Sequence, residues 1–243
     1  MTSCLLLAVC HSIANAEEVR VKTPAALQSA VKSAQPGDVI KIVGADWSDV
    51  KIKLILKGTE AKPITVQSQV AFTGASELNL LGEYVVLDGF TFRNGSLKTG
   101  HVIRVRGAHN RVTRCTIEGY NPESIDVRYQ WLSLYGHHHR VDHCRFAGQK
   151  HSGTTLVVWL DEDGEVGRHR IDHNHFLNRL QGNGNGFETL RIGTSETSMK
   201  SARCVVAENL FENCDGEVEL ISNKSCDNIY ERNTIVGCAG ALT

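Results

Sequence analysis

The sequence predicts an all-β fold: a right-handed parallel β-helix, or solenoid, whose N-terminal end is capped by a short helix. After residue 43 the chain carries only short strand patterns separated by turns. A six-residue pattern also recurs six times along that part of the chain. Repeats that contain only strands and turns favour a solenoid, because each repeat must bury its apolar face against its neighbours.

The composition allows one large domain without a strong overall charge. The chain has 243 residues, of which 41% are hydrophobic, and its formal net charge is −1. Such a chain can bury a sizeable core, and its net charge does not attract nucleic acid or an anionic membrane surface. We therefore expect no nucleic-acid partner and no membrane partner. Affinity for a charged ligand would have to come from a local patch.

The first sixteen residues have the pattern of a signal peptide. A short apolar run ends in Ala14-Asn15-Ala16, which is a small-residue cleavage site, and the run is too short to span a bilayer. This pattern predicts a signal peptide over 1–16 and a single domain over 17–243 in a secreted or periplasmic protein. Export would permit disulfides among the six cysteines that remain.

A short helix is predicted from Thr23 to Ala34. Thr23 is a favourable N-cap residue, and Pro24 suits the first helical position. An apolar stripe runs along one side of this segment, formed by Ala26, Leu27, Ala30, Val31 and Ala34. Because an open solenoid end exposes core residues, we expect this helix to cover the N-terminal end.

The repeated pattern defines the interior of the predicted solenoid. In each copy an apolar residue is followed three positions later by Phe, Cys or Asn, and then by another apolar residue. These middle residues are Phe90, Cys115, Cys144, Asn174, Asn209 and Asn233. If equivalent positions stack, they form an interior ladder in which asparagine amides hydrogen-bond one another. Cys214 and Cys238 also occupy equivalent positions, which leaves a disulfide between them open.

Two glutamates lie close together near the C-terminal end of the chain. Glu217 and Glu219 are two residues apart, so on a strand both point to one side, and Val218 and Leu220 point to the other. Lys224 follows five residues later and is a candidate proton acceptor.

Two further oxygen-bearing side chains belong to the preceding coil. Asn185 and Glu188 would lie about 4.8 Å from the coil that carries the two glutamates. Four such side chains on a rigid frame suit a hard cation. Glu188 has the same parity as Leu190 and Ile192, which belong in the core, so a bend after Gly186 is required to turn it outward.

Around these residues the sequence resembles the alginate lyases and chondroitinase B of polysaccharide lyase family six. The matching stretches are 185–193, 216–225, 134–136, 140–143 and 233–235. The resemblance implies a right-handed parallel β-helix and calcium-assisted β-elimination of a uronic-acid-containing polysaccharide, with alginate the favoured substrate. Carried over by position, Asn185, Glu188, Glu217 and Glu219 would hold calcium (Ca2+), and Lys224 would be the catalytic base. The family also has a catalytic arginine about one coil later; we expect it beyond Thr243, with the C-terminal coils missing from this chain.

Outward-facing residues of the intervening strands predict a substrate-binding surface. They are Arg104, Arg106, Ser133, Tyr135 and Trp159, to which we add Lys150, His151 and Arg191. Arginine pairs with carboxylates and aromatic rings pack on sugar faces, so this surface suits an anionic polysaccharide. Tyr129, Tyr135, a water molecule or the arginine expected beyond Thr243 could protonate the leaving oxygen.

Two other functions remain open at the level of sequence. A pectinase-like β-helix glycoside hydrolase would use paired carboxylates, for which Asp161 with Asp163 or Asp215 with Glu217 are candidates. A non-catalytic, calcium-stiffened carbohydrate-binding solenoid is the other alternative. The run 137–139 contains three histidines, which we interpret as a solvated turn because consecutive residues do not easily converge on one metal ion.

Overall fold

The computed structural model describes residues 16–44, 46–160 and 165–243. The predicted signal peptide lies outside these residues except for Ala16, and Asp161 and Asp163 also lie outside them. Among the described residues, no helix has the length and apolar character needed to cross a membrane.

One helix and many short strands make up the described chain. The helix α1 spans Pro24–Ser33, and a 3₁₀ turn spans Ser195–Thr197. The strands are β1 (Glu18–Val21), β2 (Val39–Ile42), β3 (Lys51–Lys57), β4 (Ile64–Ser68), β5 (Ala71–Gly74), β6 (Glu77–Glu83), β7 (Val85–Asp88), β8 (Thr91–Gly95), β9 (His101–Ala108), β10 (Arg111–Thr113), β11 (Thr116–Glu118), β12 (Gln130–Leu134), β13 (Arg140–Asp142), β14 (Arg145–Ala147), β15 (Leu156–Val158), β16 (Arg170–Asp172), β17 (His175–Arg179), β18 (Leu190–Gly193), β19 (Val205–Ala207), β20 (Leu210–Cys214), β21 (Glu219–Lys224), β22 (Ile229–Glu231), β23 (Thr234–Val236) and β24 (Ala241–Leu242).

The strands form three parallel sheets, which the chain visits in turn on every full coil. Sheet I has the order β1-β2-β4-β7-β10-β13-β16-β19-β22, sheet II the order β5-β8-β11-β14-β17-β20-β23, and sheet III the order β3-β6-β9-β12-β15-β18-β21-β24. Each strand pairs with the equivalent strand of the coils before and after it, so like positions stack along the axis. The predicted parallel β-helix is confirmed.

The repeated six-residue pattern forms the corner between sheets I and II. One residue with positive φ, such as His143 or His173, makes each corner, and the middle residue of the pattern turns inward directly after it. The asparagine ladder is present: Asn174 Nδ2 donates to Asn209 Oδ1, and Asn209 Nδ2 donates to Asn233 Oδ1, both at 3.0 Å. These bonds satisfy amides that would otherwise be costly to bury.

The predicted helix covers the N-terminal end of the coil stack. Thr23 caps α1 by accepting a hydrogen bond from the Ala26 backbone N–H at 3.2 Å. Leu27, Ala30 and Val31 are buried and belong to the core that runs the length of the solenoid. The helix packs against β1, β2 and β3, as a solenoid cap must do to exclude water.

A second interior ladder lies at the corner between sheets III and I. Asn110 N–H donates to His139 Nδ1 at 3.1 Å, and His139 N–H donates to His169 Nδ1 at 3.0 Å. Both histidines are about 1% exposed, and their rings stack with centroids 5.0 Å apart. The sequence-based interpretation of 137–139 as a solvated turn is therefore wrong for His139, because its ring replaces an asparagine amide in the ladder.

Candidate active site

Three glutamates converge beside sheet III, near its C-terminal strands. Glu188 precedes β18, and Glu217 and Glu219 lie in the next coil. One carboxylate oxygen from each side chain lies within 4.8 Å of one from each of the others. The structure therefore brings together three of the four residues predicted to hold a cation. Asn185 is exposed and lines, with Glu217 and Glu219, a surface depression of about 760 Å³.

A tight turn before each strand places these carboxylates. Gly186 has a φ of +99°, and a Cβ on Gly216 would lie 2.0 Å from the Phe187 carbonyl oxygen, so both positions favour glycine. Glu217 Oε2 accepts hydrogen bonds from the backbone N–H groups of Gly186 at 2.8 Å and Phe187 at 3.1 Å. Glu217 is thus fixed to the neighbouring coil. Glu188 belongs to the same cluster, although its side chain is only about 1% exposed.

The expected alternation of side chains, with Glu217 and Glu219 on one side of a strand and Val218 and Leu220 on the other, is only partly correct. Strand β21 begins at Glu219, so Glu217 lies in the turn before it. Leu220 is buried as predicted, whereas Val218 is 79% exposed. Strand periodicity does not apply before β21, which is why Val218 does not point inward.

The three carboxylates lie in a partly buried environment and affect one another's pKa values. Burial raises the pKa of Glu217, and the negative charges of Glu188 and Glu219 raise it further. The hydrogen bonds from the two backbone N–H groups act in the opposite direction and lower it. The hydroxyl of Ser222 lowers the pKa of Glu219, and Thr243 and Lys224 lower it further. Glu188 is only about 1% exposed, and its carboxylate accepts a hydrogen bond from the Thr154 hydroxyl at 3.1 Å and lies 3.5 Å from Arg191 Nη1. This all-oxygen donor set fits a hard divalent cation such as Ca2+.

Lys224 lies beside the glutamates on the same side of sheet III. It ends β21, and its backbone pairs with Gly193 of β18. Its Nζ atom is 3.8 Å from Glu219 Oε2, and its side chain is 31% exposed. The amine therefore borders both the carboxylate cluster and solvent.

Most of the predicted substrate-binding surface forms one continuous stack on the outer face of sheet III. The guanidinium of Arg106 lies 4.7 Å from the Tyr135 ring centroid. Tyr135 stacks on Trp159 at 5.9 Å, and Arg191 lies 5.1 Å from the Trp159 ring. Arg191 Nη1 is in turn 3.5 Å from Glu188 Oε1. The stack thus leads directly to the carboxylate cluster.

Three side-chain N–H groups on this surface are buried and, among the described residues, unpaired. Within the described part of the chain, Arg104 Nε, Trp159 Nε1 and Arg191 Nε are buried without a hydrogen-bond partner. Unpaired buried donors are costly, so an acceptor such as a carboxylate or hydroxyl of a bound sugar would be favourable here.

Two of the predicted roles are wrong. His151 is fully buried, stacked on Tyr129 with ring centroids 3.8 Å apart, and cannot touch a substrate on the outer face. The Tyr129 hydroxyl donates to the Tyr120 carbonyl at 2.6 Å inside the core, so it is not a proton donor to substrate. Lys150 is exposed but lies in the turn between sheets II and III rather than on the strands of the surface.

Other candidates also have structural roles. Asp215 Oδ1 accepts a hydrogen bond from the Ala239 N–H of the next coil at 2.7 Å and so joins adjacent coils. Cys214 and Cys238 stack on adjacent coils as expected, but they are free thiols, and the Cys214 N–H donates to Cys238 Sγ.

His101 belongs to the outer surface of sheet III although the sequence did not single it out. Its Nδ1 is 2.7 Å from Ser133 Oγ, and its ring meets the Tyr135 ring edge to face at 6.2 Å. Burial lowers the pKa of His101 to about 4, with Arg104 and Arg106 acting in the same direction. His101 is the first residue of β9 and lies opposite Gln130, the first residue of β12. Alignment of the strands by the repeat would have predicted this position.

Comparison with known proteins places this architecture in a family. The family model described as Chondroitinase B matches residues 21–243. The PL6 family alginate lyase AlyGC is 38% identical with a TM-score of 0.90 over 93% of this chain and 32% of its own. A PL6 family polysaccharide lyase from Pseudopedobacter saltans is 30% identical, with a TM-score of 0.86 over 92% of this chain and 54% of its own.

A mannuronic-acid-specific family 6 lyase from human gut microbiota is 32% identical, with a TM-score of 0.84 over 93% of this chain and 55% of its own. The chain thus spans between about a third and about half of the length of these relatives. A search of curated proteins found no significant match. From the family match over 21–243 and these structural similarities, we conclude that the chain belongs to the chondroitinase B family, within the PL6 polysaccharide lyases.

Proposed function

We propose that this protein cleaves a uronic-acid-containing polysaccharide, alginate in the first place, by calcium-assisted β-elimination with Lys224 as the base. The observation that carries the proposal is the position of the Lys224 amine, 3.8 Å from Glu219 in a cluster of three carboxylates at the end of an arginine- and aromatic-lined surface. A basic group beside a cation site is the arrangement that this elimination requires.

The reaction removes the proton on the carbon next to the uronate carboxylate and breaks the glycosidic bond on the following carbon. That proton is only weakly acidic while the carboxylate keeps its full negative charge. Calcium held by Asn185, Glu188, Glu217 and Glu219 would supply positive charge that neutralises the carboxylate and stabilises the developing enolate. The neutral amine of Lys224 takes the proton, and the departing oxygen is protonated at the solvent-exposed edge of the site.

The outer face of sheet III is suited to hold the polymer. Tyr135 and Trp159 present stacked aromatic rings, which pack on the apolar faces of sugars. Arg191 offers a buried Nε without a partner in the described chain, and a guanidinium binds a carboxylate with good geometry. Repeated carboxylates along a uronate chain would therefore meet repeated donors along the stack.

Alginate is proposed because of the relatives rather than because of a contact. AlyGC is named an alginate lyase, and the relative from gut microbiota is specific for mannuronic acid. The surface described here recognises carboxylates and sugar rings in general. A polysaccharide substrate is also consistent with the predicted export of the protein.

An assay with two polymers tests this proposal. The protein is incubated with alginate and with dermatan sulfate, with added Ca2+ or with a chelator, and unsaturated uronate is followed by its ultraviolet absorbance. We expect absorbance to rise with alginate and Ca2+ and to stop with chelator. Reducing ends without absorbance would indicate a hydrolase, binding without cleavage would indicate a carbohydrate-binding solenoid, and either result would overturn the proposal.

A further inference from the structure

A second group of metal-ligating side chains lies at the corner between sheets III and I, away from the carboxylate cluster. It consists of His109 from one coil and His137 and His138 from the next. One ring nitrogen from each residue lies within 4.8 Å of one from each of the others. His109 is exposed and the other two are half-buried, so solvent ions have access to all three.

The parallel coils, rather than sequence spacing, bring these histidines together. His109 and His138 occupy equivalent positive-φ positions in adjacent coils, and their rings stack with centroids 4.8 Å apart. His137 meets both rings edge to face, at 90° to His109 and 86° to His138. A third imidazole is thus presented to the side of a stacked pair.

The distances are close to those of a metal site. The Nδ1 atoms of His137 and His138 are 2.8 Å apart. In a tetrahedral site with metal–nitrogen bonds of about 2.0–2.1 Å, ligand nitrogens lie roughly 3.3 Å apart. Small side-chain rotations would bring His137 and His138 to this spacing, and a larger rotation would bring in His109.

The backbone that carries the three rings is fixed on both sides. His137 N–H donates to the Gly107 carbonyl at 3.2 Å, His138 N–H to the Gly167 carbonyl at 2.9 Å, and His109 N–H to the His137 carbonyl at 3.2 Å. Because these bonds belong to the coil-to-coil ladder, a ligand does not have to order the chain in order to bind.

Tight packing of neighbouring coils makes this close approach possible. A Cβ on Gly136 would lie 2.1 Å from the Gly107 carbonyl oxygen, so glycine is required directly before His137. The carboxylate of Glu165 also acts electrostatically on His138, although Arg168 Nε binds it at 2.9 Å. The site therefore has three nitrogen ligands, with water available to complete the coordination.

We propose that His109, His137 and His138 form a second cation site that binds a transition-metal ion of the Zn2+ type. Imidazole nitrogens select Zn2+, Cu2+ or Ni2+, whereas Ca2+ requires oxygen ligands. The two sites are thus chemically distinct. Metal at the histidine site would join two adjacent coils just after Tyr135, and so brace the strand end that supports the outer surface of sheet III.

Equilibrium dialysis with Zn2+ in the presence of excess Ca2+ tests the site without relying on lyase activity. The wild-type protein should bind Zn2+ at the histidine site, and His109→Gln and His137→Gln should each lower that affinity by at least about ten-fold. His173→Gln is the control, because His173 belongs to a rival cluster with Asp172 and Glu208.

A second readout uses Cu2+ as the probe. Nitrogen hyperfine structure in its electron paramagnetic resonance spectrum should be present with the wild-type protein and reduced in His109→Gln. Unchanged Zn2+ affinity in both cluster variants would overturn the proposal. Loss of Zn2+ binding in His173→Gln alone would overturn it as well, because it would assign the ion to the rival cluster.

Discussion

Lys224 Nζ lies 3.8 Å from Glu219 Oε2, so the candidate base at the last residue of β21 reaches one candidate calcium ligand at its first residue. Glu219 also belongs to the cluster with Glu188 and Glu217. A divalent cation at the cluster and the Lys224 amine would contact the same Glu219 carboxylate. The geometry therefore links the candidate cation site to the position of the candidate base.

Glu188→Gln should weaken calcium binding while preserving the fold. The amide keeps the shape of the side chain and can still contact the Thr154 hydroxyl, which now lies 3.1 Å from Glu188 Oε2. Removal of one negative ligand should lower the Ca2+ affinity by at least about ten-fold, measured by titration calorimetry. Glu118→Gln, at an exposed ion pair with Arg145, is the control and should bind Ca2+ normally. Equal affinity in Glu188→Gln and the wild type would show that the cluster does not bind calcium.

Trp159→Ala should impair substrate binding more than chemistry. The ring lies between Tyr135 and Arg191 in the outer stack and is not one of the groups proposed to take the proton or hold the cation. Loss of this ring should raise KM by roughly five-fold, which corresponds to about 1 kcal/mol of stacking and cation–π interaction. Trp159→Phe keeps an aromatic ring in the stack but loses Nε1, so its KM should lie between those of the wild type and Trp159→Ala. A fall in kcat at unchanged KM would contradict a binding role.

The repeat made much of the fold predictable. In each copy of the six-residue pattern one positive-φ residue makes the corner between sheets I and II, so the position of Asn174 or Asn209 relative to the core repeats without change. Turns between sheets II and III differ in length from coil to coil, and strand periodicity does not continue through them. That is why His151 and Val218 were placed on the wrong side.

The candidate site was predictable in part for a different reason. Glu188, Glu217 and Glu219 were recognised from residue type, adjacent coils and a family resemblance. The histidine cluster was missed because its third member, His109, lies in another coil, and the run 137–139 alone offers no converging geometry. Strand register, which the sequence specifies only approximately, decides such contacts.

His169→Asn should reduce the loss of stability in acid. Burial lowers the pKa of His169 well below its ordinary value, so its folded form is neutral. Below the pKa that this histidine has in the unfolded chain, the unfolded chain binds a proton that the folded protein does not. The free energy of unfolding therefore falls as the pH drops from that value towards the lower pKa in the folded protein, by up to about 1.4 kcal/mol per pH unit. Asparagine can accept the His139 N–H bond, as Asn110 accepts one from Val85.

Urea unfolding at pH 7 and pH 5 measures this difference. The wild-type protein should lose more unfolding free energy between the two pH values than His169→Asn does. Because each protein is compared with itself at the two pH values, any loss of unfolding free energy caused by the smaller asparagine side chain cancels. An equal loss in both proteins would mean that His169 does not control the acid sensitivity.

The activity of Lys224→Ala on alginate tests the central claim most directly. Without the amine no group at this position can take the proton, so formation of unsaturated uronate should fall by about 10²–10⁴-fold, the usual contribution of a general base. Thermal stabilisation by Ca2+ should remain, because the carboxylates are intact. Lys57→Ala, an exposed lysine at the far end of sheet III, is the control and should keep full activity. Wild-type rates of elimination in Lys224→Ala would contradict the account.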